Sequence, residues 1–180
     1  NIEKFETFVR RLQDEGKKII LTGSNSSLLS KEFGTKLTGR YKLFELYPFS
    51  FKEFLIKNKI NVQLSSRFTT KEKAQMKLSF KDYMHLGGIP EYLENKDTNY
   101  IQTIYENIIF RDIIARYNIK SQKTLRELIN ILSTNISSSF TYNSLKKSLG
   151  LSNAITVKEY ISYLNNTYLF FELLRFDYSI

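Results

Sequence analysis

The stretch Ile19-Ile20-Leu21-Thr22-Gly23-Ser24-Asn25 decides how the chain is read. Three apolar residues, two of them β-branched, run unbroken and then give way to small polar ones. That pattern predicts a short strand buried on both faces, with functional groups exposed at its carboxyl end. Upstream, Ile2, Phe5, Phe8, Val9 and Leu12 recur at helical spacing, and Gly16 supplies a stop. Downstream, Ser26 and Ser27 can cap a helix carrying Leu28 and Leu29. Helix, strand, polar tip and helix make a slice of a parallel α/β sheet, in which ligands bind beyond the carboxyl ends of the strands. The seven residues alone also suit a structural strand closed by a Gly-Ser turn.

Working outward, Lys42–Tyr47 reads as another strand. Ser50-Phe51-Lys52-Glu53 spells a capping box that opens a short helix reaching about Lys57, and Pro48 keeps it from starting earlier. Thr69-Thr70-Lys71-Glu72 spells a second box, before a helix running to about Leu86. Gly87-Gly88 ends that helix, and Pro90 suits the first turn of the next short one. From about Asn99, Ile101, Ile104, Tyr105, Ile108, Ile109 and Ile113 form an apolar stripe, broken at its end by Arg111, Asp112 and Arg116. Asp112 and Arg116, four apart, can pair on the helix surface. Further on, Leu125, Leu128, Ile129 and Leu132 line one helix. Thr141 can cap a second, carrying Leu145 and Leu149 and ending at Gly150. Ser152 can cap a third, on which Val157, Tyr160, Ile161 and Leu164 face inward. Tyr168–Phe176 is rich in aromatic and apolar residues, as a strand would be. The Ser-rich Ser133–Ser139 is a loop between helices.

At 180 residues the chain holds one large domain or two small ones, and 42% hydrophobic content supports a sizeable core. There is no cysteine, hence no disulfide framework and no thiolate metal site. The lone histidine, His85, argues against zinc, and no metal site is expected. No apolar run approaches a membrane span and no signal-peptide pattern occurs, so a cytoplasmic location without membrane association is expected. The net charge is +9, divided as +5 over residues 1–60, +2 over 61–120 and +2 over 121–180. Basic surfaces attract nucleic acid through phosphate neutralisation. An excess this evenly spread also fits a lysine-rich solvated surface.

The motifs Leu21-Thr22-Gly23-Ser24, Leu37-Thr38-Gly39-Arg40 and Pro48-Phe49-Ser50-Phe51-Lys52-Glu53-Phe54 follow one another, and then come Gly87-Gly88-Ile89-Pro90-Glu91 and Phe110-Arg111-Asp112-Ile113. In this order, and on through Thr156-Val157 and Tyr160, the chain resembles the prokaryotic AAA+ type P-loop ATPases of the archaeal kind. In them a strand reading LTGS precedes LxGR and PFSFxEF. The resemblance implies an α/β fold over residues 1–62, the C-terminal part of a P-loop parallel sheet in the nucleotide-binding domain. It implies an all-helical lid over 63–120 and a winged-helix domain over 121–180. No G-x-x-x-x-G-K-[ST] and no apolar run ending in paired acids occurs in the 180 residues. The expectation is therefore a C-terminal portion of a longer ATPase, without Walker A and Walker B. ATP and Mg2+ would be cofactors of the longer protein, and the portion alone would neither bind nor hydrolyse ATP.

The same resemblance assigns roles. Asn25, Ser24 and Thr22 are candidates for the sensor-1 side chain that orients the attacking water, Asn25 first because its amide both donates and accepts. They could equally be a turn that caps the next helix. Arg40, after Gly39, stands where an arginine finger would act on a neighbouring subunit of a homo-oligomer, or it is a surface residue in a turn. Arg111 is a candidate for the sensor-2 contact to nucleotide, against a salt bridge. In the winged helix, Lys158, Ser162, Tyr163 and Asn165 would face duplex DNA, opposed by Glu159. Docking of a protein partner is the other use of such a module, and a non-enzymatic DNA-binding or protein-docking module is the alternative function.

Overall fold

Side chains that take up orphan amides set where five of the described helices begin. The computed structural model describes residues 5–23, 42–60 and 68–176. Helix α1, Phe5–Asp14, gives way to a turn in which Gly16 takes a φ of +76°. At α2, Phe51–Lys57, the expected capping box is formed. The Ser50 amide and hydroxyl donate to Glu53 Oε2 at 2.8 and 2.7 Å, and Ser50 Oγ accepts from the Glu53 amide at 3.3 Å. Thr69 and Glu72 repeat the arrangement at α3, Thr70–Leu86, with the Thr69 amide 2.7 Å from Glu72 Oε2. Helix α4, Pro90–Asn95, starts on its proline. Helix α5, Thr98–Asn107, continues into a π-helical segment, Ile108–Ala115. Ser121 caps α6, Gln122–Thr134, and Thr141 caps α7, Tyr142–Ser148. The cap of α8, Ala154–Asn166, is Asn153, one residue after the Ser152 expected. Its Oδ1 accepts from the Ile155 amide at 2.8 Å.

The α/β expectation is corrected. Among the described residues there is no strand, so neither the C-terminal part of a parallel sheet nor the wing of a winged helix is present. Residues 17–23 carry no regular structure, and Ile20 is 91% exposed. Residues 42–47 are likewise irregular, with Leu46 98% exposed. The physical reason is that a strand is not a local structure. Its amides and carbonyls need a neighbouring ladder, and an Ile-Ile-Leu run is buried only between such neighbours. The described residues offer these segments none. Residues 168–176 fail as a wing for the same reason, and Leu173 is 96% exposed. Polar contacts help to hold that segment: the Glu172 amide donates to Asn165 Oδ1 at 3.0 Å, and Tyr142 Oη donates to Glu172 Oε1 at 2.6 Å. The helix expected at Ser26–Leu29 lies outside the described residues.

The chain forms two compact units, one of residues 1–42 with 106–180 and one of residues 43–105. In the first, Ile109 and Ile113 of the π segment, Leu125, Leu128 and Ile129 of α6, Leu145 of α7 and Val157, Ile161 and Leu164 of α8 are buried. Removing each such side chain from water contributes about 2 kcal/mol. In the second unit α2 buries Phe54 and Leu55. Phe51 meets Phe80 edge-on at 5.2 Å between ring centres, and Phe54 meets Tyr83 at 5.4 Å. The Phe49 amide donates to the Gly88 carbonyl at 2.7 Å, and Tyr83 Oη donates to the Phe49 carbonyl at 2.7 Å. Lys57 and Glu94, 2.8 Å apart, tie α2 to α4.

Candidate functional site

In the first unit, polar groups converge on the π-helical segment. An i→i+5 repeat brings Ile109 and Ile114 to one face, which a 3.6-residue period would separate, and π turns occur often at functional positions. Asp112, Ile113 and Ile114 are consecutive and all buried. Asp112 is only 3% exposed, and a carboxylate that deep needs compensating charge. Arg111 supplies part of it, with Nε 3.2 Å from Oδ1 and Nη2 3.4 Å from Oδ2. Arg116, four residues on, comes to 3.6 Å. The hydrogen bond to Asp112, and then its charge, hold the Arg111 pKa above its ordinary value. Arg111 remains largely exposed while Asp112 does not. The result is an outward guanidinium anchored on a buried carboxylate, a group able to contact an anion while already partly neutralised.

Two further contacts flank it. Arg126 of α6 lies 3.0 Å from Glu106 and 5.0 Å above the Phe110 ring, so one guanidinium serves both an ion pair and a cation–π contact. Tyr117 stacks on Tyr163 of α8 with ring centres 3.7 Å apart and planes within 9°. Burial, followed by the charge of Glu159, pushes the Tyr163 pKa up. Asn166 Nδ2 lies 3.4 Å from Tyr117 Oη.

The structure places the sequence-derived site residues unevenly. Ser24, Asn25 and Arg40 lie outside the described residues. Thr22 is exposed in the irregular segment 17–23. Arg111 is bound to Asp112. Along α8, Lys158 and Ser162 are exposed beside Glu159. Tyr163 is engaged by Tyr117, and Asn165 accepts from Glu172. Sequence reasoning missed the burial of Asp112 and the Tyr117–Tyr163 stack. Asp112 sits next to the stripe residue Ile113, which was the available signal. The tyrosine pair is too far apart in sequence to give one.

Among the described residues no group of three or more His, Asp or Glu could hold a metal ion, and no helix is long and apolar enough to cross a membrane. Residues 77–180, more than half of the chain, match the model of a domain of unknown function, DUF8612. The chain belongs to the DUF8612 family. Residues 1–55 match an AAA domain model in addition, which points to an AAA-like P-loop region ahead of the DUF8612 part. An uncharacterized protein of Methanocaldococcus jannaschii is 36% identical over 99% of the chain and 42% of its own length. An uncharacterized protein of Haemophilus influenzae is 31% identical over 88% of the chain and 39% of its own length. The chain thus spans about two fifths of the curated relatives it matches. No solved structure matches it.

Proposed function

We propose that this DUF8612 chain is part of an AAA+ like ATPase of the archaeal type, which couples ATP binding and hydrolysis to its helical C-terminal segment. The AAA domain match over residues 1–55 carries the reading, because Leu21–Ser24, Leu37–Arg40 and Pro48–Phe54 all fall within it. In the whole protein Asn25, Ser24 or Thr22 orients the attacking water, Arg40 reaches the phosphates of a neighbouring subunit, and Arg111 contacts the nucleotide. The described residues do not by themselves fit ATP and Mg2+. The sequence has no Gly-rich phosphate loop, and the described residues contain no cluster of three or more His, Asp or Glu that could hold a metal ion.

The test compares the 180-residue chain with a longer protein that contains it. Calorimetry of the 180 residues with ATP and Mg2+ should give only heats of dilution. The longer protein should hydrolyse ATP, and the ATPase reading is wrong if it does not. In it, Arg40→Ala should leave ATP binding within a few-fold and cut turnover by roughly 10³, as loss of such a finger does elsewhere. Mixing Arg40→Ala subunits with subunits defective in phosphate binding should restore activity. An inactive mixture would make Arg40 structural.

A second reading rests on α7 and α8, two helices joined by residues 149–153 with Lys158 and Ser162 on the outer face. It is a non-enzymatic module that contacts duplex DNA or docks a protein through α8.

A further inference from the structure

We infer that the groove formed by the start of α2 and the part of α3 from Lys73 to Phe80 receives an acidic amphipathic helix from a partner protein. The groove, about 360 Å³, is lined by Phe51, Phe68, Lys73, Met76, Lys77 and Phe80. Helix α3 is seventeen residues long and fully buries only Ser79. Its apolar residues Met76, Phe80 and Met84 recur four apart and so form one row, with Phe80 48% and Met84 63% exposed. Lys73, Lys77 and Lys81 recur at the same interval and form a parallel row beside it. None of the three lysines forms an ion pair with a described residue.

An apolar row flanked along about two turns by a basic row is the complement of a helix with leucine-type anchors and a neighbouring row of carboxylates. Methionines on such a face adapt to the shape of what they receive. The charge pattern also selects among occupants. A second copy brings another net +9 and repels. Phosphates would gain the lysines, yet the floor between them is apolar and desolvates polar groups at a cost. The Phe51 and Phe80 rings meet edge-to-face, so they do not form a parallel pair that could sandwich a base.

The experiment uses the 180-residue chain without nucleotide, so its outcome is independent of the ATPase reading. The probe is a fluorescein-labelled synthetic helix of about fourteen residues, with leucines four and three apart and a flanking row of glutamates. One control replaces the glutamates by lysines, and another keeps the composition but scatters the leucines around the helix. Anisotropy should show the acidic amphipathic peptide binding at about 10–100 μM, about tenfold or more tighter than either control. The exposed double variant Lys73→Glu/Lys77→Glu, with an unchanged circular dichroism spectrum, should reverse the charge preference. Equal binding of the scattered peptide, or a preference that survives the double variant, overturns the inference. So does displacement of the peptide by a thymidine oligonucleotide, which would assign the groove to nucleic acid. A concentration-dependent dimer in sedimentation that the double variant abolishes would assign it to a second copy and overturn it as well.

Discussion

A Cβ placed on Gly88 would stand 2.3 Å from the Phe49 carbonyl oxygen and 2.9 Å from the Phe49 amide nitrogen. Both are backbone atoms, so no rotamer change can make room, and the hydrogen bond from the Phe49 amide to the Gly88 carbonyl would have to break. Gly88→Ala should therefore destabilise the 43–105 unit by about 2–4 kcal/mol. Gly16→Ala makes the fitting comparison. Gly16 has a φ of +76° but nothing within 4 Å of the added carbon, so only backbone strain of about 1 kcal/mol is expected. Urea unfolding of the two variants checks this, and equal midpoints would show that the Phe49 contact yields easily. The same residue shows what sequence hides. Gly87-Gly88 reads as a helix stop, and α3 does end at Leu86, yet Gly88 also has the Phe49 backbone where a Cβ would stand.

At the scale of elements, the capping boxes are electrostatic as well as geometric. The Ser50 hydroxyl, then the Ser50 amide, hold the Glu53 carboxyl below the usual carboxylate range. The Thr69 amide, then the Thr69 hydroxyl, do the same for Glu72. A carboxyl whose folded pKa lies below its unfolded value adds stability above the unfolded value and loses it as pH falls through the folded one. Helix content should thus be flat from neutral pH to about 5 and decline below about pH 4. Circular dichroism of wild type and Glu53→Gln/Glu72→Gln during urea unfolding should show the variant weaker at pH 7 and the gap closed near pH 3. A gap of the same size at both pH values would mean that the carboxylate charge contributes nothing. These boxes were legible in the sequence because donor and acceptor stand three residues apart. Asn153 displaced Ser152 because both cap well, and the cap falls to the one that the first helical residue follows. The strand expected over residues 19–25 had no such local warrant. Its pattern describes an environment, and for Ile19, Ile20 and Leu21 the described residues do not supply it. The π segment was illegible for a related reason, since Ile109 and Ile113 satisfy either helical period and only the burial of Ile114 separates them.

For the whole molecule, the +9 charge sets a background attraction to any polyanion, so DNA binding has meaning only if it localises. Residues 106–180 carry nine basic and six acidic residues, and Lys158 on α8 stands next to Glu159. Tyr163 and Asn165 are occupied by Tyr117 and by the Glu172 amide. The part of α8 left to meet a duplex is thus Lys158 and Ser162, which can make one or two phosphate contacts rather than a base-reading surface. If α8 is the DNA-facing element, Lys158→Glu should weaken binding to a duplex about tenfold at low salt. It should also reduce the slope of log affinity against log salt by about one, the signature of a lost phosphate contact. Lys71→Glu, an equally exposed change on α3 in the other unit, controls for net charge. Fluorescence anisotropy across a salt series measures both. Equal losses in the two variants would assign the binding to the diffuse charge of the surface. No measurable binding at low salt would leave protein docking as the use of the α7–α8 pair.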